Sequence, residues 1–227
     1  MQAPRSRAWA IFIALAVAYS ASQFFRAAPA VIAPDLMQEL SLSAEAIGGA
    51  AGLFFLVFGL AQLPVGVLLD RFGPRRTMSA LFLLAVAGTV VFAEANSAAT
   101  LGAGRMLQGL GCAAGLMGAM VVIGRWFPPE KFTTVSGLLM GIGGVGVFMA
   151  GSPLAVASAD FGWRGAFLAA AGVTAFFAVL LFAVVRDAPQ GHAATVTGSK
   201  ESLPDILRGV AAVLRNGALW KIIAMQL

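Results

Sequence analysis

The sequence predicts an all-α membrane protein, a six-helix transmembrane bundle followed by the start of a seventh helix. Three observations carry this reading. Of 227 residues, 59% are hydrophobic and 11% charged, against about 45–50% and about 25% in soluble domains. The apolar residues fall in runs near the ~20 that a helix needs to cross a bilayer, and mean hydropathy is +0.89. Basic residues collect beyond alternate ends of those runs, as the positive-inside rule requires. Such a composition excludes a disordered chain and an ordinary soluble domain. The net charge of +5 and pI near 10.4 do not make a nucleic-acid surface, because the basic residues punctuate apolar runs. The principal partner is the lipid bilayer.

Six segments qualify as spans: 8–31, 46–69, 78–95, 99–123, 133–157 and 164–185. The apolar stretch of the first, 8–25, exceeds the roughly 7–15 residues of a secretory leader's core. Arg26 also sits just before the small-residue run Ala28-Pro29-Ala30, so the segment reads as a span. Residues 1–186 therefore form the six-helix bundle, and 187–216 a polar cytoplasmic linker in which 203–208 can form an amphipathic helix. Residues 217–227, with Leu219-Trp220-Lys221-Ile222-Ile223-Ala224-Met225, read as the cut-off start of helix seven. The expectation is a fragment that lacks a C-terminal bundle.

Orientation follows from charge. With the N-terminus in the cytoplasm, twelve of the fifteen Lys and Arg residues fall inside and only Arg164 falls in an outer loop. Asp35, Glu39, Glu45, Glu94 and Asp160 lie outside. The expected location is the cell inner membrane, multi-pass. Arg26 and Arg105 remain within spans. An intramembrane charge is costly and points to function by default.

The loop after span two reads Gly66-Val67-Leu68-Leu69-Asp70-Arg71-Phe72-Gly73-Pro74-Arg75-Arg76. Gly66 allows close helix approach. Asp70, at the membrane boundary, can pair with Arg71 or Arg75 or cap a helix N-terminus. Gly73-Pro74 makes a tight turn. In this position the loop resembles the G-x-x-x-D-R-x-G-x-R-R pattern of the major facilitator superfamily. Three further stretches are similar to that family: Arg105-Met106-Leu107-Gln108-Gly109-Leu110-Gly111, the Trp126-Phe127-Pro128 turn, and Gly162-Trp163-Arg164-Gly165-Ala166-Phe167. The resemblance implies two three-helix inverted repeats, alternating access and a midplane site between two six-helix halves. It also implies that Gly66, Asp70, Arg71, Gly73, Arg75 and Arg76 form a conformational latch on the cytoplasmic side.

Candidate substrate-binding residues are Tyr19, Gln23, Arg26, Arg105 and Gln108. Tyr19, Gln23 and Arg26, spaced i, i+4, i+7, share one face of span one. Together a phenol, an amide and a guanidinium can recognise a carboxylate or phosphate, although Arg26 can also snorkel to the headgroups. A tyrosine followed by an arginine in span one resembles the organic-anion branch of the superfamily. Arg105 shares a face with Gln108 and Cys112, where it serves a cavity or a structural bond to a neighbouring carbonyl. Gln62 reads as a kink or packing residue, and Phe54, Phe55 and Phe58 as core or lipid-facing. Gly111/Gly115 and Gly137/Gly141, the latter followed by Gly143, Gly144 and Gly146, permit close helix contacts, and Gly104 and Gly118 extend the small face of span four.

The reading is an ion-coupled carrier taking up a small organic anion, with a proton or sodium ion as coupling partner. The alternatives are a proton-coupled drug or metabolite efflux antiporter, or a non-transporting membrane scaffold if the chain is naturally this short. No nucleophile–base pair or phosphate loop suggests an enzyme, and no cofactor or metal is expected. The lone Cys112 and the linker residue His192 supply no ligand set.

Overall fold

Every predicted span is helical within residues 5–189, which the computed structural model describes. The linker and seventh-helix expectations fall on 190–227, outside the described residues. Eight helices follow in order: α1 (Arg5–Val31), α2 (Ala33–Leu40), α3 (Ala44–Phe72), α4 (Pro74–Ala93), α5 (Ala98–Cys112), α6 (Ala114–Trp126), α7 (Pro129–Met149) and α8 (Ser152–Val184). Local chemistry sets the boundaries. The Ser43 hydroxyl accepts the Ala46 amide to start α3. Ser97 and Thr100 form a reciprocal capping box at α5. Gly73, at φ 80°, lets the chain turn from α3 into Pro74 at the first position of α4.

Two boundaries differ from expectation. Span four is interrupted at Ala113, whose amide bonds the Leu110 carbonyl three residues back, a local tightening. Span five does not run unbroken to 157. Its α7 ends at Met149, and α8 continues from Ser152 to a bend at Gly162, with φ 72° and ψ 154°. Only glycine adopts such a conformation readily. The apolar stretch Pro129–Val184 has 56 residues, roughly 80 Å at 1.5 Å per residue. That length must cross the membrane twice, and Gly162 is where it folds back.

The helices form one bundle with alternating direction and two chemically distinct ends. At one end lie the α3–α4 turn, the α6–α7 turn and the exit from α8. There the Arg75 amide donates to Asp187 Oδ1 at 2.7 Å, and Trp126 Nε1 donates to the Arg186 carbonyl at 2.8 Å. At the other end lie α2, the α4–α5 turn and the Gly162 bend. There Trp163 Nε1 donates to Glu39 Oε2 at 2.6 Å.

Small residues set the closest helix crossings. A Cβ on Gly104 would fall 2.7 Å from the Phe92 amide nitrogen, and one on Gly111 would meet the Ala85 backbone. These glycines bring α5 against α4. Gly143 and Gly146 bring α7 against α1, where a Cβ would strike the Tyr19 ring and the Ser20 carbonyl. Ser20 Oγ adds a bond to the Ile142 carbonyl at 3.0 Å. Gly137 and Gly141, expected to permit close contact, have no neighbour within 4 Å of a built Cβ among the described residues. At Gly66 a Cβ would meet only Met117 Sδ, at 3.9 Å, so no close approach requires glycine there within the described bundle.

Candidate functional site

The polar interior is built on α1, α3 and α5. α1 packs extensively on α7, and α3 on α5. Tyr19 is 6% exposed, its ring and the Gln23 stem lying against Gly143. One helical turn on, the Arg26 guanidinium lies over the Phe58 ring, 4.4 Å from its centroid. Gln23 Oε1 and Arg26 Nε are buried with no hydrogen-bond partner among the described residues.

Arg105 is 1% exposed. Its Nη1 donates to the Phe25 carbonyl and to Gln108 Oε1, both at 2.8 Å. Gln108 Nε2 donates in turn to Thr89 Oγ1 at 3.2 Å, and Thr89 donates to the Ala85 carbonyl at 2.8 Å. The chain of bonds ties α1, α5 and α4 together. Its guanidinium also lies 4.3 Å from the Phe54 centroid, while Nε and Nη2 stay unpartnered.

The two arginines thus share one aromatic support. Phe54 and Phe58, at i and i+4 on α3, stack with ring planes 7° apart and centroids at 6.1 Å. Arg105 sits on the first and Arg26 on the second. Cation–π contact partly replaces lost hydration. Cys112 is buried in the same region, packed with Phe25, Phe54 and Ala85. Every acidic side chain described lies exposed or at a helix end, leaving the positive charge without a carboxylate. Sequence reasoning brings Arg26 and Arg105 forward separately and reads Phe54 and Phe58 as core or lipid-facing, without joining them to the arginines; Thr89 it does not single out. The i, i+4 spacing of two aromatics opposite an intramembrane arginine was the available signal. Gln62 turns back to the Phe58 carbonyl at 3.2 Å.

At the Arg75 end, Gly73 makes the predicted turn, and a Cβ on it would overlap the Asp187 carboxylate. Asp187, not Asp70, caps the N-terminus of α4. Asp70 is exposed and has no ion pair or hydrogen bond among the described residues. Arg75 Nε donates to the Phe182 carbonyl at 2.6 Å, with its guanidinium 4.2 Å from that ring's centroid. Arg71 stacks on Phe72 at 5.4 Å, and Arg76 is exposed. The sequence offered no sign of Asp187, which lies 112 residues from its partner.

Six apolar crossings around a buried arginine, glutamine and tyrosine, with Arg26 and Gln23 half-buried beside them, define a multi-pass membrane protein built like one helical bundle of a carrier. The Major Facilitator Superfamily profile matches residues 15–227, and the chain belongs to that family. A nitrate/nitrite transporter of Nostoc punctiforme is 32% identical over 177 residues, covering 74% of this chain and 35% of that protein. A probable L-galactonate transporter of Escherichia coli is 28% identical, covering 67% of this chain and 34% of that protein. The chain thus spans about a third of these curated relatives. Two crystallised transporters share the fold. A bacterial homologue of the lysosomal transporter Spinster, inward-facing and unoccupied, has a TM-score of 0.71 at 22% identity, covering 84% of this chain and 45% of that one. A proton:xylose symporter has a TM-score of 0.70 at 14% identity, covering 98% and 53%.

Proposed function

We propose that this chain is one bundle of a secondary transporter that takes up a small organic anion by alternating access, coupled to a proton or sodium ion. The observation that carries the reading is the uncompensated cationic interior. Arg26 and Arg105 lie on one stacked phenylalanine pair, and Arg26 Nε and Arg105 Nη2 are buried donors without partners among the described residues. In hydrocarbon such a charge calls for an anion. The relatives named for nitrate/nitrite and L-galactonate transport support an anionic cargo. Tyr19, Gln23 and Arg26 contact the anion in this scheme. Arg105 and Gln108 hold the field and the helix junction around it, and a second bundle completes the site.

The remaining assignments follow the charge asymmetry. The Arg75 end faces the cytoplasm, the N-terminus lies inside, and the protein resides in the cell inner membrane. Gly66, Asp70, Arg71, Gly73, Arg75 and Arg76 act as the latch against the second bundle, with exposed Asp70 and Arg76 free to meet it.

Uptake of radiolabelled nitrate and of a sugar acid by the full-length protein tests the reading. Arg26→Ala is expected to abolish uptake while leaving the protein level in the membrane unchanged. Wild-type uptake by that variant would overturn the site. A second reading, export, is favoured by one relative, a tetracenomycin C resistance and export protein of Streptomyces glaucescens, 29% identical over 169 residues. Efflux of a loaded cationic dye that survives Arg26→Ala would favour it.

A further inference from the structure

Arg26 is half-buried and makes no hydrogen bond to protein among the described residues. Its guanidinium sits on a long flexible stem, so another contact must set its direction. That contact is the Phe58 ring, whose centroid lies 4.4 Å from the guanidinium carbon. Phe58 is itself held in place. It stacks on Phe54, with ring planes 7° apart and centroids at 6.1 Å, and Phe54 is fully buried. A Cβ on Gly109 would overlap the Phe54 carbonyl, so α3 is seated directly on α5 at this turn. The Arg26 backbone is fixed separately. Arg105 Nη1 donates at 2.8 Å to the Phe25 carbonyl, the oxygen of the peptide bond that carries the Arg26 nitrogen. Arg105 rests on Phe54 and is also bonded to Gln108. Phe58 therefore serves Arg26, and Phe54 serves Arg105.

A guanidinium with one face against a ring offers its edge to a ligand. The Nε edge of Arg26 is closed off, which leaves the two Nη groups, in the plane of the fork. We propose that Phe58 is a positioning residue for anion recognition, acting through Arg26: it holds the guanidinium so that the Nη edge meets the oxygens of a carboxylate or nitrate in plane. This rests on the transport reading and adds to it the residue that sets the direction of its key arginine. Ordering a flexible side chain before the ligand arrives removes that cost from binding. Loss of the ring should therefore show in affinity and not in the rate of the transport cycle.

The test is initial-rate uptake of radiolabelled nitrate and of a sugar acid by the full-length protein, with KM and maximal rate per transporter measured for each variant. Phe58→Leu removes the ring and keeps an apolar side chain. It is expected to raise KM about fivefold, the size of a partly exposed cation–π contact, with the maximal rate unchanged. Phe58→Tyr keeps the ring face and should restore the wild-type KM. Phe176→Leu, the same change at a 63% exposed site on α8, should leave both constants unchanged. Should Phe58→Leu fail to reach the membrane, Phe58→Met supplies the ring-free comparison. An unchanged KM in the ring-free variant, where Arg26→Ala abolishes uptake, would overturn this proposal and leave the transport reading standing. A fall in maximal rate at constant KM would also overturn it, since Phe58 would then only support the bundle. Wild-type uptake by Arg26→Ala would instead strike the transport reading, and the proposal with it.

Discussion

An arginine inside a membrane must find its hydrogen-bond acceptors in the protein, because lipid offers none. Arg105 and Arg26 meet this demand differently. Arg105 spends one nitrogen on the Phe25 carbonyl and on Gln108, thereby holding α5 to α1. Arg105→Ala would leave both acceptors unpartnered in the core. An unsatisfied buried acceptor typically costs about 1–3 kcal/mol, so a fall in thermal midpoint is expected in detergent. Arg26 lies over the face of Phe58 and makes no hydrogen bond to protein among the described residues. Arg26→Ala should leave that midpoint nearly unchanged, and differential scanning fluorimetry of the two variants side by side separates the roles. Both residues were legible as charges within apolar runs. Their junction through Phe54 and Phe58 was not, since an aromatic in a membrane span is equally at home against lipid.

Along the helices, glycine has two meanings that spacing cannot distinguish. Gly146 sits where α1 and α7 touch backbone to backbone, whereas Gly137 faces open space. Gly146→Ala must push the helices apart, at a cost of about 1–3 kcal/mol for overpacking. Gly137→Ala should be neutral or stabilising by up to about 1 kcal/mol, from helix propensity alone. Unfolding midpoints of the two variants provide the comparison, and equal destabilisation would contradict the packing. Arg164 shows a similar gap between pattern and role. In the sequence it is the one basic residue expected in an outer loop. In the fold its Nη1 donates to the carbonyls of Ala93 and Ala95 at 2.6 and 2.8 Å, closing the C-terminus of α4 where a cation is favoured. It also pairs with Glu39 at 2.9 Å. Arg164→Ala is expected to lower stability and to speed hydrogen exchange in the last turn of α4.

For the whole bundle, the alternating ends give a direct test of topology. In a Cys112→Ala background, a cysteine at Asp160 should react with an impermeant maleimide from outside intact cells. A cysteine at Arg71 should react only after permeabilisation. The reverse pattern would invert the orientation. Asp187 ties the exit of α8 to the start of α4, and Arg125 Nη1 reaches its backbone carbonyl at 3.3 Å. This strap holds the 163–184 arm against α4 at the end where the Gly66–Arg76 loop lies. Asp187→Ala is expected to loosen it, seen as faster hydrogen exchange at the Arg75 amide.

The number of crossings, their alternation and the arginines left in the bilayer were all readable from the chain. Hydropathy and charge placement are local properties, and lipid enforces them span by span. The resemblance of the Gly66–Arg76 loop placed the family on the same footing. Partners far apart in the sequence depended on the packed bundle. Asp187 in place of Asp70 at the cap of α4, which members of the Gly137–Gly146 run make the contact, and the phenylalanine pair beneath two arginines all arise from how helices pack. In a membrane, that packing is driven by close van der Waals fit and interhelical hydrogen bonds. A periodic pattern says which face is apolar, but apolar faces toward lipid and toward protein look alike until the helices are in contact.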